Sequence, residues 1–199
     1  MSRVMKSVAE GASRLAVSLR RRLAGMACDI AHDQRGVSAV EFALLLPLML
    51  SLYLGSVELS QGIGADRKVT LTARTICDLV SQVSSINNAD MTNALNAASA
   101  VMAPFSVGNL KVTVSSVSID ANGKATIAWS DSLNGSARSK GSSVTLPTAL
   151  AVPNTSLIWS EVQYAYTPTI GYVVSGTLNL KDQIYMRPRL SDSVTRTTS

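Results

Sequence analysis

Apolar residues are concentrated in one long run near the start of the chain. Between residues 37 and 57 the only charged side chain is Glu41, and the next charge downstream is Glu58. A helix of about 20 residues at about 1.5 Å per residue is about 30 Å long, the thickness of a bilayer's hydrocarbon core. The run therefore predicts a transmembrane helix over residues 37–58. A buried core helix is the alternative, but such helices usually have shorter apolar runs.

Downstream of this run the apolar residues become periodic. They recur at intervals of three and four residues, which is typical of one face of a helix. The members of this stripe are Val69, Ala73, Ile76, Val80 and Val83. A second helix is predicted from Asp90 to Met102, with Asp90 as its N-cap and Pro104 ending the pattern.

The rest of the chain alternates apolar and polar residues, as half-buried strands do. Strands are predicted at residues 110–114 with an extension at 117–119, and at 125–129, 156–166, 172–174, 176–180 and 183–186. Asn122-Gly123 predicts a hairpin turn, because both residue types tolerate positive φ, and residues 132–143 are expected to form an exposed loop. The sequence thus predicts an α+β fold. Its transmembrane helix extends into an amphipathic helix that packs on an antiparallel sheet.

Charge is distributed unevenly along the chain. The first 36 residues carry seven Lys and Arg against three Asp and Glu, a net charge of +4, whereas the remainder is only +1. Positively charged flanks of a membrane helix stay in the cytoplasm. We therefore expect residues 1–36 to be a cytoplasmic leader and residues 59–199 to be exported. Since the excess charge lies in the leader and not on a folded face, nucleic acid is not an expected partner.

The junction between the leader and the apolar run has a distinctive order of residues. Gly36 follows Arg35, and Glu41 stands five residues after Gly36 and directly before Phe42. A carboxylate within a membrane helix costs at least ~2.5–3.5 kcal/mol on insertion scales and usually indicates function. We expect Glu41 either to meet a cationic partner or to reach the membrane interface, since it lies close to the start of the helix.

This order of residues resembles the type IV prepilin processing site. It is more similar still to the TadE/TadG-like pilus-assembly proteins of the tight-adherence (Flp pilus) systems. The similarity runs from Arg35 through Leu48 and includes the Val-Glu-Phe-Ala sequence of residues 40–43 and the Leu- and Pro-rich stretch that follows. Residues 182–190 are also similar to members of this family.

The resemblance implies a processing step and a set of partners. A prepilin peptidase would cut between Gly36 and Val37, and Glu41 would pair with the amino group freed on Val37 of the same or a neighbouring subunit. The expected location is a bacterial inner membrane, with membrane lipid, other pilin-like subunits and an assembly platform as partners. The implied role is that of a pseudopilin in pilus assembly, with adhesion and biofilm formation as consequences. The alternatives are an uncleaved membrane-anchored scaffold and a periplasmic or surface binding module.

The residues of the expected exported part do not suggest an enzyme. The single histidine, His32, lies in the leader, and Cys28 and Cys77 would be on opposite sides of the membrane. Carboxylates are scattered, and neither an EF-hand spacing nor a phosphate-binding glycine loop is present. We therefore predict a structural protein without a metal or another cofactor.

Two further features each leave two interpretations open. Cys77 belongs to the apolar helical stripe and is expected to be a small buried residue, although a disulfide between two copies is an alternative. The aromatic residues of the predicted strands are expected to form core or cross-strand contacts rather than a glycan-binding face. They are Trp129, Trp159, Tyr164, Tyr166, Tyr172 and Tyr185.

Overall fold

The computed structural model describes residues 34–168, 170–171 and 175–197. The chain divides into two compact units, residues 1–53 and 54–199, which are described here one at a time. One long helix, α1 (Gln34–Ser81), contributes residues to both units.

In the first unit, the described residues 34–53 are entirely helical and their apolar side chains are exposed. Leu44, for example, exposes 75% of its surface, and Leu52 exposes 67%. By length and composition, α1 is the one helix among the described residues that could cross a membrane. Pro47 lies inside it, and proline is more frequent in membrane helices than in soluble ones. These features agree with a single-pass membrane anchor, while the boundaries at residues 37 and 58 remain predictions.

The second unit combines the rest of α1 with a short helix and two sheets. Its further elements are β1 (Ser85–Ile86), α2 (Asn88–Met102), a 3-10 turn (Val107–Asn109), β2 (Leu110–Ile119), β3 (Ala125–Leu133), β4 (Ser143–Val144), β5 (Thr155–Tyr166), β6 (Leu178–Met186) and β7 (Thr195–Arg196). The main sheet is antiparallel, in the order β4-β3-β2-β5-β6, and β1 pairs with β7 in parallel. The predicted α+β class with an antiparallel sheet is confirmed.

The main core lies between the two helices and one face of this sheet. The α1 side chains in it are fully buried, namely Ala65, Val69, Ala73, Ile76, Cys77 and Val80. They pack with Leu95, Ala98 and Met102 of α2 and with alternate residues of β2 and β5, such as Val112 and Val162. The amphipathic stripe predicted from the sequence is thus confirmed. Its last member, Val83, lies beyond the end of α1 and is only partly buried.

A smaller apolar cluster covers part of the opposite face of the sheet. It contains Val117 and Ile119 of β2, Ile127 of β3, and Leu157 and Trp159 of β5. The pairing of β2 with β3 shifts between Ser116 and Val117, which leaves Ala128 as an extra residue in β3.

This bulge changes the side of the sheet on which the later β3 residues lie. Trp129 therefore joins the helix-side core, whereas Ile127 belongs to the opposite cluster. The indole Nε1 of Trp129 donates a hydrogen bond to the carbonyl oxygen of Val194, at 2.7 Å.

The C-terminal segment ties the helices to the sheet. Arg196 donates to Asp131 of β3, with Nε 2.9 Å from Oδ2, and to the side-chain oxygen of Asn88 at the start of α2. Arg189 pairs with Asp78 of α1. These long-range contacts could not be inferred from the local pattern of the sequence.

Three local predictions need correction. The N-cap of α2 is Asn87, whose side chain accepts a hydrogen bond from the backbone N–H of Asp90, so Asp90 is not the cap but belongs to the first turn. The predicted loop 132–143 is shorter, because β3 continues to Leu133 and β4 begins at Ser143. The strands predicted at 176–180 and 183–186 are one continuous strand, β6, because its polar residues lie on an edge strand that tolerates them.

The remaining strand predictions agree with the structure where it describes them. Residues 110–119, 125–129 and 156–166 all lie in strands, and Gly123 has a φ of +79° in the predicted turn. The turn is also held by Asp120, whose Oδ1 accepts from the backbone N–H groups of Asn122 and Lys124, each at 2.8 Å. The strand predicted at 172–174 lies outside the described residues.

The packing of α1 on the sheet can be tested at one buried position. Replacing fully buried Ile76 with Ala should lower the free energy of unfolding of the C-terminal unit by about 2–5 kcal/mol, because the lost contacts leave a cavity. Leu79→Ala on the same helix, where the side chain is 39% exposed, is the matched control and should change it much less. Denaturant unfolding of the full chain in detergent gives both values. Equal losses in the two variants would contradict this account of the core.

Candidate functional site

The residues singled out at the start of the apolar run lie together on the first turns of α1. The backbone of Arg35, Gly36, Val37, Glu41 and Phe42 is helical, beginning at Gln34. Val37, Glu41 and Phe42 are exposed. Since Glu41 stands four residues after Val37, the two positions are about one helical turn apart. A freed amino group on Val37 would therefore lie within about one turn of the Glu41 carboxylate.

The fold does not require a glycine at position 36. A Cβ built on Gly36 meets no other described atom within 4 Å, and its φ lies outside the left-handed region. Gly123 differs, because its φ of +79° strains any other residue. The described part of the chain therefore gives no packing or backbone reason for a glycine at position 36.

Cys77 is the one described thiol, and it is structural. Its side chain is fully buried, and the thiol donates to the carbonyl oxygen of Ile158 at 3.2 Å. Burial raises the pKa of the Cys77 thiol to about 12. The thiol therefore stays protonated at neutral pH, which is the opposite of an activated nucleophile. The interpretation of Cys77 as a small buried residue is confirmed, and a disulfide to a second copy would require the core to open.

Most of the aromatic residues of the strands are also buried. Trp129, Trp159, Tyr164 and Tyr166 each expose 9% or less, while Tyr185 is partly buried and Tyr172 lies outside the described residues. Phe105 contacts both Tyr164 and Tyr166 in edge-to-face geometry, with centroids 6.3 and 6.1 Å apart. The core interpretation is thus confirmed for these four side chains, and they do not form an exposed aromatic face.

A polar cluster that the sequence did not predict lies on the face of the sheet turned away from the helices. Arg138 forms a two-pronged pair with Glu161 of β5, with nitrogen–oxygen distances of 2.8 and 2.9 Å. Its guanidinium carbon lies 4.2 Å from the ring centroid of Trp159, which in turn stacks on Tyr185 at 5.4 Å. The hydrogen bond with Glu161 raises the pKa of Arg138.

Local sequence pattern contains only a weak indication of this cluster. Arg138 lies in the loop after β3, and Glu161 follows it 23 positions later in the chain. The one local signal is Glu161, a carboxylate within a long strand that otherwise contains no charged residue. Among the residues that the structure describes, His, Cys, Asp and Glu side chains do not gather in threes that could hold a metal ion.

The environment of Cys77 leads to a prediction about its reactivity. In a Cys28→Ser background, a maleimide should label Cys77 in the folded chain at least about tenfold more slowly than in denaturant, because the thiol is buried and protonated. The raised folded-state pKa also means that this residue's contribution to stability is complete below pH ~8.5, the usual thiol pKa, and is lost as the pH rises toward 12. Equal labelling rates in the two states would refute the assignment.

A comparison with protein families gives a match that lies within helix α1. Residues 36–77 match the family model described as "TadE-like protein". The curated proteins contain no match to this chain. The solved structures contain none either. The matched region begins at Gly36, covers the apolar part of α1 and ends at Cys77 within its amphipathic part. Over residues 36–77, the chain is therefore similar to TadE-like proteins.

Proposed function

We propose that this protein is a pilin-like minor subunit, a pseudopilin, of a tight-adherence type IV pilus system. In this proposal it is made as a precursor in the bacterial inner membrane, with residues 1–36 in the cytoplasm and the globular unit exported. A prepilin peptidase removes the leader between Gly36 and Val37, and the mature chain acts in pilus assembly and adhesion. The observation that carries the proposal is the TadE-like match, which begins at the residue expected to precede the cut.

The contrast between the two parts of α1 supports an assembly role. From Ala65 to Val80 one face of the helix is fully buried by the sheet and α2, whereas residues 37–53 expose apolar side chains. Such side chains need lipid or the helices of other subunits around them. A subunit that leaves the bilayer exchanges lipid contacts for helix contacts, so its apolar surface stays covered in both places.

Glu41 supplies the electrostatic part of the proposal. An unpaired carboxylate in an apolar environment is costly, and removing one partner of a buried ion pair costs several kcal/mol. Processing would place an ammonium on Val37, about one turn from Glu41 in the same helix and also available to a neighbouring subunit. Pairing of the two groups would favour a defined position of each subunit along its neighbour.

Processing can be tested by intact-mass measurement of the membrane-extracted protein. In cells with the peptidase the chain should begin at Val37, and without the peptidase it should keep residues 1–36. Gly36→Val should keep the leader attached, because a branched side chain hinders the protease at this position. Gly64→Val is the matched control, since a Cβ there also meets nothing within 4 Å, and it should still be processed. A functional protein that begins at Met1 would favour the uncleaved anchor instead.

The role of Glu41 can be tested separately. Glu41→Ala should leave membrane insertion intact but reduce the yield of sheared pili several-fold, because the freed ammonium loses its partner. Asp66→Ala removes an exposed carboxylate from the same helix and should leave the yield unchanged. Normal piliation in the Glu41 variant would count against the pairing and favour a carboxylate that simply reaches the interface.

A further inference from the structure

We propose that the sheet face turned away from the helices carries a binding site for an acidic sugar of the uronic-acid class. The site, here called the outer cleft, is formed by Lys111 and Thr113 of β2, Gly135 and Arg138 of the following loop, and Glu161 and Gln163 of β5. It encloses about 370 Å³, within the size range of small-ligand sites. It lies wholly in the second unit and does not depend on the proposed role in pilus assembly.

The strand register places the floor of the outer cleft in two rows. Lys111 of β2 lies opposite Gln163 of β5, and Lys181 of β6, just outside the cleft, lies on the other side of Gln163. In the next row, Thr113 lies opposite Glu161. Neighbouring strands are about 4.8 Å apart, so the two lysines stand about 10 Å apart across the sheet. The floor thus presents ammonium, amide, hydroxyl and carboxylate groups side by side.

The wall of the cleft is held in place before any ligand arrives. Arg138 is fixed by its two bonds to Glu161, by the ring of Trp159 beneath it, and by its backbone N–H, which donates to Ser130 Oγ at 3.0 Å. Ser130 Oγ in turn lies 2.9 Å from the hydroxyl of buried Ser115. Because the guanidinium is already ordered by these contacts, binding a ligand costs it little further conformational entropy.

The charge of the cleft favours an anion. Glu161 is already neutralised by Arg138, and the ion pairs among the described residues include neither Lys111 nor Lys181. The cleft itself therefore has an excess of one positive charge, that of Lys111, and Lys181 adds a second positive charge beside it on the same face. The whole chain downstream of residue 36 has a net charge of only +1, so this excess is a local feature.

The polar lining indicates a sugar rather than a peptide. Glu161 accepts hydrogen bonds, Thr113 and Gln163 both donate and accept, and sugar hydroxyl groups do the same. The residues that line the cleft include no large apolar side chain, which a peptide anchor would need. A carboxylate on the sugar would then pair with the ammonium group of Lys111.

Gly135 gives independent support, because its missing side chain leaves the cleft open. A Cβ there would lie 3.8 Å from the Thr113 hydroxyl oxygen and 3.9 Å from the Lys111 Cβ. These are ordinary contact distances and the φ of Gly135 lies outside the left-handed region, so the backbone does not require glycine. Any larger side chain would instead occupy the space between β2 and the loop.

The test is a calorimetric titration of the full chain in zwitterionic detergent with trigalacturonic acid. We expect saturable binding. Lys111→Ala should weaken the affinity about tenfold, as expected for the loss of one charge-assisted hydrogen bond. Gly135→Val should reduce it at least as much by filling the cleft. Lys124→Ala removes an exposed lysine in the β2–β3 turn and is the matched control, with unchanged affinity.

Two comparison ligands decide the chemical class. A neutral galactose trisaccharide should bind at least tenfold more weakly, because it lacks the carboxylates. An acidic tripeptide with the same number of carboxylates should also bind more weakly, because it lacks the ring hydroxyls. Preference for the peptide, equal binding of the neutral sugar, no binding of trigalacturonic acid, or unchanged affinity in both cleft variants would each overturn the proposal. Thermal unfolding of every variant establishes that a lost affinity is not a lost fold.

Discussion

The structure depends on how one continuous helix keeps its apolar side chains covered. From Ala65 onward the covering material is the chain itself, because α2 and the sheet bury one face of α1 completely. Before residue 54 the described large apolar side chains are exposed. The hydrophobic effect acts on both stretches alike, but among the described residues only the stretch from Ala65 onward is covered by other parts of the same chain. The stretch before residue 54 needs lipid or other helices, and this requirement connects the fold with the proposed role in assembly.

The two faces of the main sheet are covered in different ways. The face toward the helices is apolar over most of its length, whereas the opposite face is apolar only around Ile119, Ile127 and Leu157. Because of the bulge at Ala128, β3 contributes apolar side chains to both faces: Trp129 packs in the helix-side core and Ile127 in the opposite cluster. The remainder of the opposite face is polar, and there the Arg138–Glu161 pair replaces an apolar cover. The proposed ligand site, the outer cleft, lies in this polar part of the face.

Cys77 and Arg138 show that the same residue types have different roles according to their surroundings. The Cys77 thiol lies against strand carbonyls in the core, and burial raises its pKa and makes it inert. Arg138 lies on a loop and could have been a solvated charge. It is instead held by a carboxylate and an aromatic ring and is only 37% exposed. The chemistry of each side chain follows from its contacts and not from its identity alone.

The sequence by itself determined the features that depend on neighbouring residues. The apolar run, the helical stripe from Val69 to Val80, the strand alternation of residues 110–119 and 156–166, and the Gly36–Glu41 spacing are all local patterns. Helix and strand periodicity record which face will be buried, so the α+β class could be predicted. The match over residues 36–77 likewise follows from a contiguous stretch.

Only the tertiary structure decided the features that join distant parts of the chain. The pairing of β1 with β7, the Arg196–Asp131 contact and the Arg138–Glu161 pair bring together residues 23 to more than 100 positions apart. Local pattern carries no information on such pairs, because many alternative partners satisfy the same charge or hydrogen bond. The capping of α2 by Asn87 rather than Asp90 shows the same limit at short range. Several polar residues could have served as the cap, and which one does depends on where the helix begins in the folded chain.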